Sequence, residues 1–156
     1  MDFAKLLNSV NSIKEEFPPV HLWDPELCEG VEMQIDREGN WFYQGSIIGR
    51  KKLKVLFSRI LKLENDNYFL VTPVEKVSVK VDLAPYMIVD YEVDASKTKI
   101  ILKTNLELSI PLDKDHKLEL ERVGDENIPF IEVRDGIKGF LSRSVYYSLV
   151  DIAISQ

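Results

Sequence analysis

The chain has 156 residues, of which 45% are hydrophobic and 29% are charged, and this composition excludes a globally disordered protein. Its formal net charge of −6 argues against binding to duplex nucleic acid, because most of such a surface would repel phosphates. No apolar run reaches the roughly 18 residues of a membrane span, and the amino terminus lacks the pattern of a secretory signal. We therefore expect a globular protein that does not bind membranes.

Cysteine and histidine are scarce. Cys28 has no second cysteine with which to form an internal disulfide, which favours a reducing cytoplasm. Together with His21 and His116 it offers no recognised metal-ligand spacing. The sequence contains no dinucleotide-binding glycine motif, no phosphate loop and no nucleophile elbow. We expect no metal and no cofactor. A non-enzymatic protein is favoured, and Glu75 and His116 are the candidate bases of an enzyme.

The predicted elements begin with an amphipathic helix over residues 3–16. Residues 31–45 are predicted to form two short strands joined by a turn, and a second amphipathic helix follows over residues 50–62. Residues 67–141 then contain short strands bounded by Pro, Asp, Asn or Gly. A third helix over residues 143–154 completes the chain. This order predicts an α+β fold, with either a partly closed antiparallel barrel or a strongly bent sheet capped by the last helix.

Two stretches of the chain follow a similar order of strand, acidic-Gly turn, strand, basic residue and helix. The first runs from Ile35 to Leu61 and the second from Val133 to Ile154. Duplication and chance similarity both explain the match. We place the predicted domain boundary at residue 66, which assigns residues 1–66 to an amino-terminal lobe and residues 67–156 to the barrel with its helix.

The second helix begins with an unusual concentration of positive charge. Residues 50–62 carry 6 of the 20 basic residues and no acidic residue. A helix start has a partial positive charge, so each exposed cation there costs about 0.3–1 kcal/mol. Arg50 stands at the start of this helix. Arg143 likewise places a cation at the start of the third helix, after Ser142 as its predicted N-cap. A bound phosphate or carboxylate would reverse the cost. The alternative is that these side chains extend into water or pair with acidic residues elsewhere.

Aromatic residues beside this cluster point to a nucleotide rather than bare phosphate. Trp41 and Tyr43 alternate along a predicted strand and so share a face, on which either ring would stack against a base. Phe42 is then predicted to be a core residue. The alternative is that Trp41 itself belongs to the core, as aromatic residues of strands usually do.

A further candidate group surrounds a proline break in VTPVEKV, residues 71–77. Thr72, Glu75 and Lys76 stand at this break, where β scaffolds often display functional side chains. Glu75 and Lys76 are neighbours on a predicted strand and are therefore expected to point to opposite faces. The alternative is a solvated start of a strand.

Four stretches together resemble the bacterial domain-of-unknown-function family number 1285: PPVHLWDPELC, WFYQGSIIGRKKLKVLFSRIL, YFLVTPVEKVSVKV, and VRDG followed by SRSVYYSLVDIA. The resemblance covers about residues 18–154. It implies an internally duplicated fold of two similar lobes, the carboxy-terminal one similar to pleckstrin-homology-like barrels. It also implies a site for a nucleotide-like ligand between the two parts and a role in bacterial signalling, and no enzymatic activity is established for such proteins.

The resemblance carries over seven residues by position, although CEGVEMQI replaces the more usual Gly-Asp-Ile-Asp-Met pattern of the first loop. These candidate ligand-binding residues are Trp41, Arg50, Thr72, Glu75, Lys76, Arg134 and Arg143. The sequence thus predicts a module that binds a nucleotide-like anion. The alternative is a protein-interaction adaptor that uses the groove or edge of the barrel.

Overall fold

The computed structural model describes residues 3–96 and 98–154. The chain divides between Leu83 and Ala84 into two compact units, called here the first unit and the second unit. Each unit contains one six-stranded sheet. In the described parts of the chain, no helix is long and apolar enough to cross a membrane.

The described residues of the first unit, 3–83, form two α-helices, a short 3-10 helix and six strands. They are α1 (Phe3–Asn11), the 3-10 helix (Val20–Leu22), β1 (Leu27–Ile35), β2 (Trp41–Tyr43), β3 (Ser46–Ile48), α2 (Lys51–Arg59), β4 (Leu61–Glu64), β5 (Asn67–Val71) and β6 (Lys76–Val81). The strands are ordered β3-β2-β1-β6-β5-β4 across the sheet.

In the second unit, the described residues 84–96 and 98–154 form six strands followed by one helix. They are β7 (Tyr86–Val93), β8 (Ile100–Thr104), β9 (Ser109–Pro111), β10 (Leu118–Val123), β11 (Glu126–Arg134), β12 (Ile137–Leu141) and α3 (Arg143–Ile154). The strands are ordered β10-β11-β12-β7-β8-β9. The edge strands β9 and β10 follow each other in the chain but do not pair, so the sheet stays open, as the predicted partly closed barrel requires.

The two units share one topology. Each is made of two antiparallel three-stranded meanders, and the first strand of one meander pairs in parallel with the last strand of the other. These parallel pairs are β1 with β6 and β7 with β12. The predicted α+β class with two similar lobes is confirmed. The prediction of purely antiparallel strands is wrong at one pair in each unit, because periodicity indicates a strand but not the direction of its neighbour.

The duplicated segment is larger than the one suggested by the sequence. The strand order equates β1 with β7, not with β11 as the comparison of Ile35–Leu61 with Val133–Ile154 proposed. The helices also differ in their position along the chain. Helix α2 lies between the two meanders of the first unit, whereas α3 follows both meanders of the second unit. The shared feature is therefore the set of six strands.

The predicted domain boundary after residue 66 is wrong. A division there would cut the hairpin in which Glu64 of β4 pairs with Asn67 of β5. It would also remove β6 from the sheet, although β6 supplies the parallel neighbour of β1. The change from helix to strand patterns marked residue 66 in the sequence, but the sheet continues to Val81.

Local turn chemistry explains the predicted hairpin. The Asp36 carboxylate accepts hydrogen bonds from the amides of Glu38 and Asn40, over 3.0 and 2.8 Å. Gly39 has φ of 82°, a left-handed conformation that glycine adopts without a steric penalty. This turn aligns Ile35 with Trp41, and both side chains are fully buried.

The predicted helices are present, with different lengths. Helix α1 ends at Asn11, not at residue 16, and the Ser12 hydroxyl donates to the Ser9 carbonyl over 2.7 Å at this end. Helix α2 ends at Arg59, and Ile60 then leads directly into β4. Helix α3 has the predicted bounds.

Candidate functional site

The start of α2 has no polar cap. Arg50 has the extended backbone of an N-cap residue, with φ of −78° and ψ of 118°, but its side chain makes no capping hydrogen bond. The Lys54 amide donates to the Arg50 carbonyl over 3.2 Å and closes the first turn. The preceding amides of the helix have no intrahelical acceptor. This end of α2 therefore offers amide donors and partial positive charge to an anion.

Four cations surround this helix start and lack acidic partners. Within residues 3–96 and 98–154, none of their side chains forms a hydrogen bond or an ion pair. Three of the four are exposed and the last is half-buried. The predicted alternative of pairing with acidic residues elsewhere is thus not realised in the described chain. We call these residues the basic start of α2: Arg50, Lys51, Lys52 and Lys54.

The cations at the other end of the same segment are paired. Arg59 forms an ion pair with Glu16 over 2.9 Å, and its guanidinium lies 5.3 Å from the centre of the Phe17 ring. Lys62 donates to the Trp23 carbonyl over 3.0 Å and lies 3.6 Å from a Glu64 oxygen. These contacts hold the loop before β1. The cations at the carboxy-terminal end of residues 50–62 therefore have a structural role, whereas the basic start of α2 has no such contacts in the described chain.

The start of α3 differs from the start of α2. The Ser142 hydroxyl accepts from the Val145 amide over 3.4 Å, which confirms the predicted cap. Arg143 is exposed, and its guanidinium lies 3.7 Å from a Glu126 oxygen. This helix start has a polar cap and its arginine has a carboxylate neighbour, so α2 is the more available anion site.

Trp41 is a core residue. Its side chain is fully buried, and its ring lies parallel to that of Phe57 with 6.4 Å between the centres. Tyr43 shares this face of β2 and packs against Phe3 of α1 at 4.6 Å. The helices cover the face that was predicted to receive a base, and Phe42 on the opposite face is only half-buried. The prediction of an accessible Trp41 ring and a buried Phe42 is therefore wrong in this structure.

Thr72 builds the turn between β5 and β6. Its side chain is fully buried, and its hydroxyl oxygen accepts from the amides of Val74 and Glu75 over 3.3 and 3.0 Å. The Thr72 amide donates to the Glu75 carbonyl over 2.8 Å. The Thr72 hydroxyl oxygen is thus already used by the protein backbone.

Lys76 is committed to carboxylates. Its ammonium group lies 2.9 Å from a Glu64 oxygen, 3.5 Å from an Asp24 oxygen and 4.5 Å from the centre of the Phe69 ring. The hydrogen bond to Glu64 raises the pKa of Lys76 above its ordinary value, and burial opposes this effect. Lys76 therefore joins the loop before β1 to the sheet.

Glu75 directly precedes β6 and is buried. Only 4% of Glu75 is exposed. The Ser9 hydroxyl of α1 lies 3.4 Å from its Oε1 atom, and its Oε2 atom has no hydrogen-bond partner among the described residues. A buried carboxylate oxygen without a donor is costly, so Glu75 is a notable polar group of the first unit.

The candidate residues fall into separate groups. Thr72, Glu75 and Lys76 meet at the turn before β6, while Trp41 and Arg50 lie in the segment from β2 to α2. The other two, Arg134 and Arg143, belong to the second unit, and the Arg134 guanidinium lies 3.5 Å from Asp135. No group of side chains suited to a metal ion occurs within residues 3–96 and 98–154.

An apolar cavity of about 360 Å³ lies in the second unit between α3 and strand ends. The sequence predicted an apolar face of α3 but not that strands would leave it partly uncovered. Tyr146 and Val150 of that face are half-buried, and Leu149 is buried. The lining residues are Ile100, Leu112, Leu118, Tyr146, Leu149, Val150, Ile152 and Ala153.

Comparisons with known proteins agree with the division into two units. Residues 18–84 match the amino-terminal domain of the family described as domain of unknown function DUF1285, and residues 85–156 match its carboxy-terminal domain. No curated protein matches the chain.

Two crystal structures are similar to this chain. A DUF1285 family protein from Silicibacter pomeroyi DSS-3 is 38% identical with a TM-score of 0.80, and the match covers 94% of this chain and 82% of that one. A DUF1285 family protein from Shewanella baltica OS155 is 31% identical with a TM-score of 0.63, covering 80% of this chain and 94% of that one. With both domains matched in order, the chain belongs to the DUF1285 family.

Proposed function

We propose that this protein is a non-enzymatic binding or sensor module of the bacterial cytoplasm, which holds a phosphate-bearing, nucleotide-like small molecule and acts in signalling. The observation that carries this proposal is the basic start of α2, whose four cations lack partners in the described chain. A ligand with a phosphate group supplies the negative charge that the helix end lacks.

The expected binding mode follows from the groups present. Arg50 offers a planar fork of donors that matches two phosphate oxygens, and the amides at the start of α2 add donors along the helix axis. Lys51 and Lys52 contribute charge without fixed geometry.

Arg134 and Arg143 of the second unit remain candidate contacts and are to be tested individually. Trp41 is unsuited to base stacking because its ring is buried.

Thermal unfolding of the purified protein against inorganic phosphate, sulfate, mononucleotides and signalling dinucleotides tests the proposal. A ligand at about a hundred times its dissociation constant adds about 2.7 kcal/mol, which is a shift of a few degrees for a domain of this size. Arg50→Ala is expected to weaken the affinity of the active ligand about tenfold, because it removes charge-assisted hydrogen bonds.

Arg122→Ala is the matched control, since Arg122 is an exposed cation of β10 without a side-chain partner in the described chain. It removes the same charge far from α2 in sequence and is expected to leave the affinity unchanged. Equal affinity of the wild type and Arg50→Ala would refute the site at α2. The absence of a shift with every ligand would reject the nucleotide-like class.

A protein-interaction adaptor is the second candidate function, and the apolar cavity beside α3 favours it. The unpaired edges of β9 and β10 also leave backbone groups free to accept a strand from a partner. Val150→Glu places a charge in the cavity and is expected to abolish capture of a partner from a lysate. Capture that survives this substitution, or the lack of any enriched protein at low salt, would count against the adaptor.

A further inference from the structure

Helix α1 is held on the first unit by a small apolar contact. Leu6 and Val10 are 1% and 2% exposed, and the Phe3 ring lies 4.6 Å from that of Tyr43 and 6.1 Å from that of Phe57. The helix has nine residues, and a helix of this length is marginal in water without tertiary contacts. It also precedes residue 18, where the match to the family's amino-terminal domain begins.

The same helix contacts the buried Glu75 carboxylate. Ser9 of α1 supplies the side-chain donor to Oε1, and the distance of 3.4 Å is long for a hydroxyl donor. The other oxygen, Oε2, has no partner among the described residues. The docked α1 thus buries Leu6 and Val10, and the carboxylate that it contacts has one long hydrogen bond and one buried oxygen without the hydrogen bonds that water would supply.

We propose that α1 is a displaceable lid of the first unit, held by apolar contacts and opposed by the desolvated Glu75 carboxylate. Undocking of α1 exposes Leu6 and Val10, and hydration of Glu75 offsets part of that cost. The lid therefore opens at a lower free energy than the unfolding of the sheet. Its opening presents Glu75 as a hydrogen-bond acceptor in an otherwise apolar surface. This proposal does not rest on the anion site at Arg50.

Hydrogen exchange followed by mass spectrometry on the full chain, without nucleotide, tests the lid. The amides of residues 7–11 are expected to exchange faster than those of β6 in the same unit. Glu75→Gln keeps the side-chain shape and removes the charge, so it is expected to slow exchange in α1 about tenfold. A purely structural Ser9–Glu75 hydrogen bond predicts the opposite, that is, unchanged or faster exchange.

Two further variants serve as controls for the hydrogen-exchange measurement. Glu15→Gln removes the same charge from an exposed residue just beyond α1 and is expected to leave exchange unchanged. Leu6→Ala weakens the apolar contact and is expected to accelerate exchange in α1 more than in β6.

Exchange of α1 at the rate of β6, or unchanged or faster exchange of α1 in Glu75→Gln, would overturn the lid. Either result leaves the anion-binding proposal at Arg50 intact, because the experiment contains no nucleotide.

Discussion

At the residue scale, the surroundings of each charged side chain separate structural roles from candidate binding roles. Lys76 lies against Glu64 and Asp24, so its charge stabilises the loop before β1. Arg50 is exposed and lacks such a partner in the described chain. A ligand that approaches Lys76 would have to displace carboxylates, whereas Arg50 loses only water. Arg50 is therefore the stronger candidate of the two.

The loop after β7 provides a residue-scale prediction about pH. The Asp94 carboxylate accepts from the Lys99 and Thr98 amides over 3.0 and 2.8 Å, and the bond from Lys99 is the main cause that lowers the pKa of Asp94 below its ordinary 3.8. A lowered folded-state pKa adds stability above the ordinary value, and this contribution is lost as the pH falls through the folded-state pKa. The wild type is therefore expected to exceed Asp94→Asn in stability at neutral pH.

Urea unfolding of both proteins between about pH 7 and about pH 3 measures this difference. It should shrink as the pH falls below 3.8. Asp151→Asn, at an exposed residue of α3, is the charge-matched control. A difference that stays constant over the whole range would show that Asp94 acts through shape and not through charge.

At the element scale, two helices with basic starts have different local chemistry. Helix α3 follows Ser142, whose hydroxyl accepts from a first-turn amide. Helix α2 follows Arg50, whose backbone has suitable N-cap angles but whose side chain has no acceptor atom. Arginine stabilises a helix poorly as an N-cap residue, although the backbone here has N-cap angles. Its presence at this position favours a functional role for Arg50.

This contrast predicts opposite effects of one substitution on stability and binding. Arg50→Asp introduces an N-cap acceptor and is expected to stabilise the protein by about 0.5–2 kcal/mol, because its carboxylate accepts from the bare amides of α2. It should also abolish binding of the phosphate-bearing ligand, since it occupies the amides and reverses the charge. Chemical denaturation and ligand titration measure the two effects.

Arg50→Ala is the reference for this substitution, because it removes the arginine without adding a cap. It is expected to weaken binding with little gain in stability. Loss of stability in Arg50→Asp would show that the arginine makes a stabilising contact and would contradict the interpretation of an open helix start.

At the scale of the whole molecule, each six-stranded sheet depends on one parallel pair. Strands β1 and β6 join the two meanders of the first unit, and β7 and β12 join those of the second. Tyr86 of β7 is fully buried opposite Gly139 of β12. The two strands of each parallel pair are far apart in the chain, so each pair is a non-local contact that closes a long segment of its unit.

The close approach at Gly139 makes the second of these pairs testable. A Cβ atom there would lie 3.1 Å from the Tyr86 Cβ atom and 3.3 Å from the Tyr86 carbonyl oxygen. Both atoms are fixed by the backbone, so Gly139→Ala is expected to destabilise the protein by about 1–3 kcal/mol through overpacking. Thermal or urea unfolding measures the loss.

Gly49→Ala is the matched control, because a Cβ atom at Gly49 meets nothing within 4 Å. Its effect is expected to stay within about 0.5 kcal/mol. Equal stabilities of the two variants would contradict the tight packing of β12 on β7.

Local patterns in the sequence were sufficient for the α+β class, the three helices and the turn at Gly39. These features depend on residues within one or two turns of each other, such as the Asp36 carboxylate and the amides of Glu38 and Asn40. Family membership was also recognisable, because four motifs occur in a fixed order. The sequence likewise located the basic segment at residues 50–62 and the candidate residues around it.

Only the tertiary structure decided which of these residues are accessible. Trp41 is buried because α1 and α2 cover its face of β2, and no alternation along the strand specifies which face a distant helix will cover. Glu75 meets Ser9 across 66 positions of the chain. Arg59 forms an ion pair with Glu16, whereas Arg50 has no acidic partner in the described chain. Short-range periodicity determines elements, whereas burial and charge pairing depend on which distant segments meet.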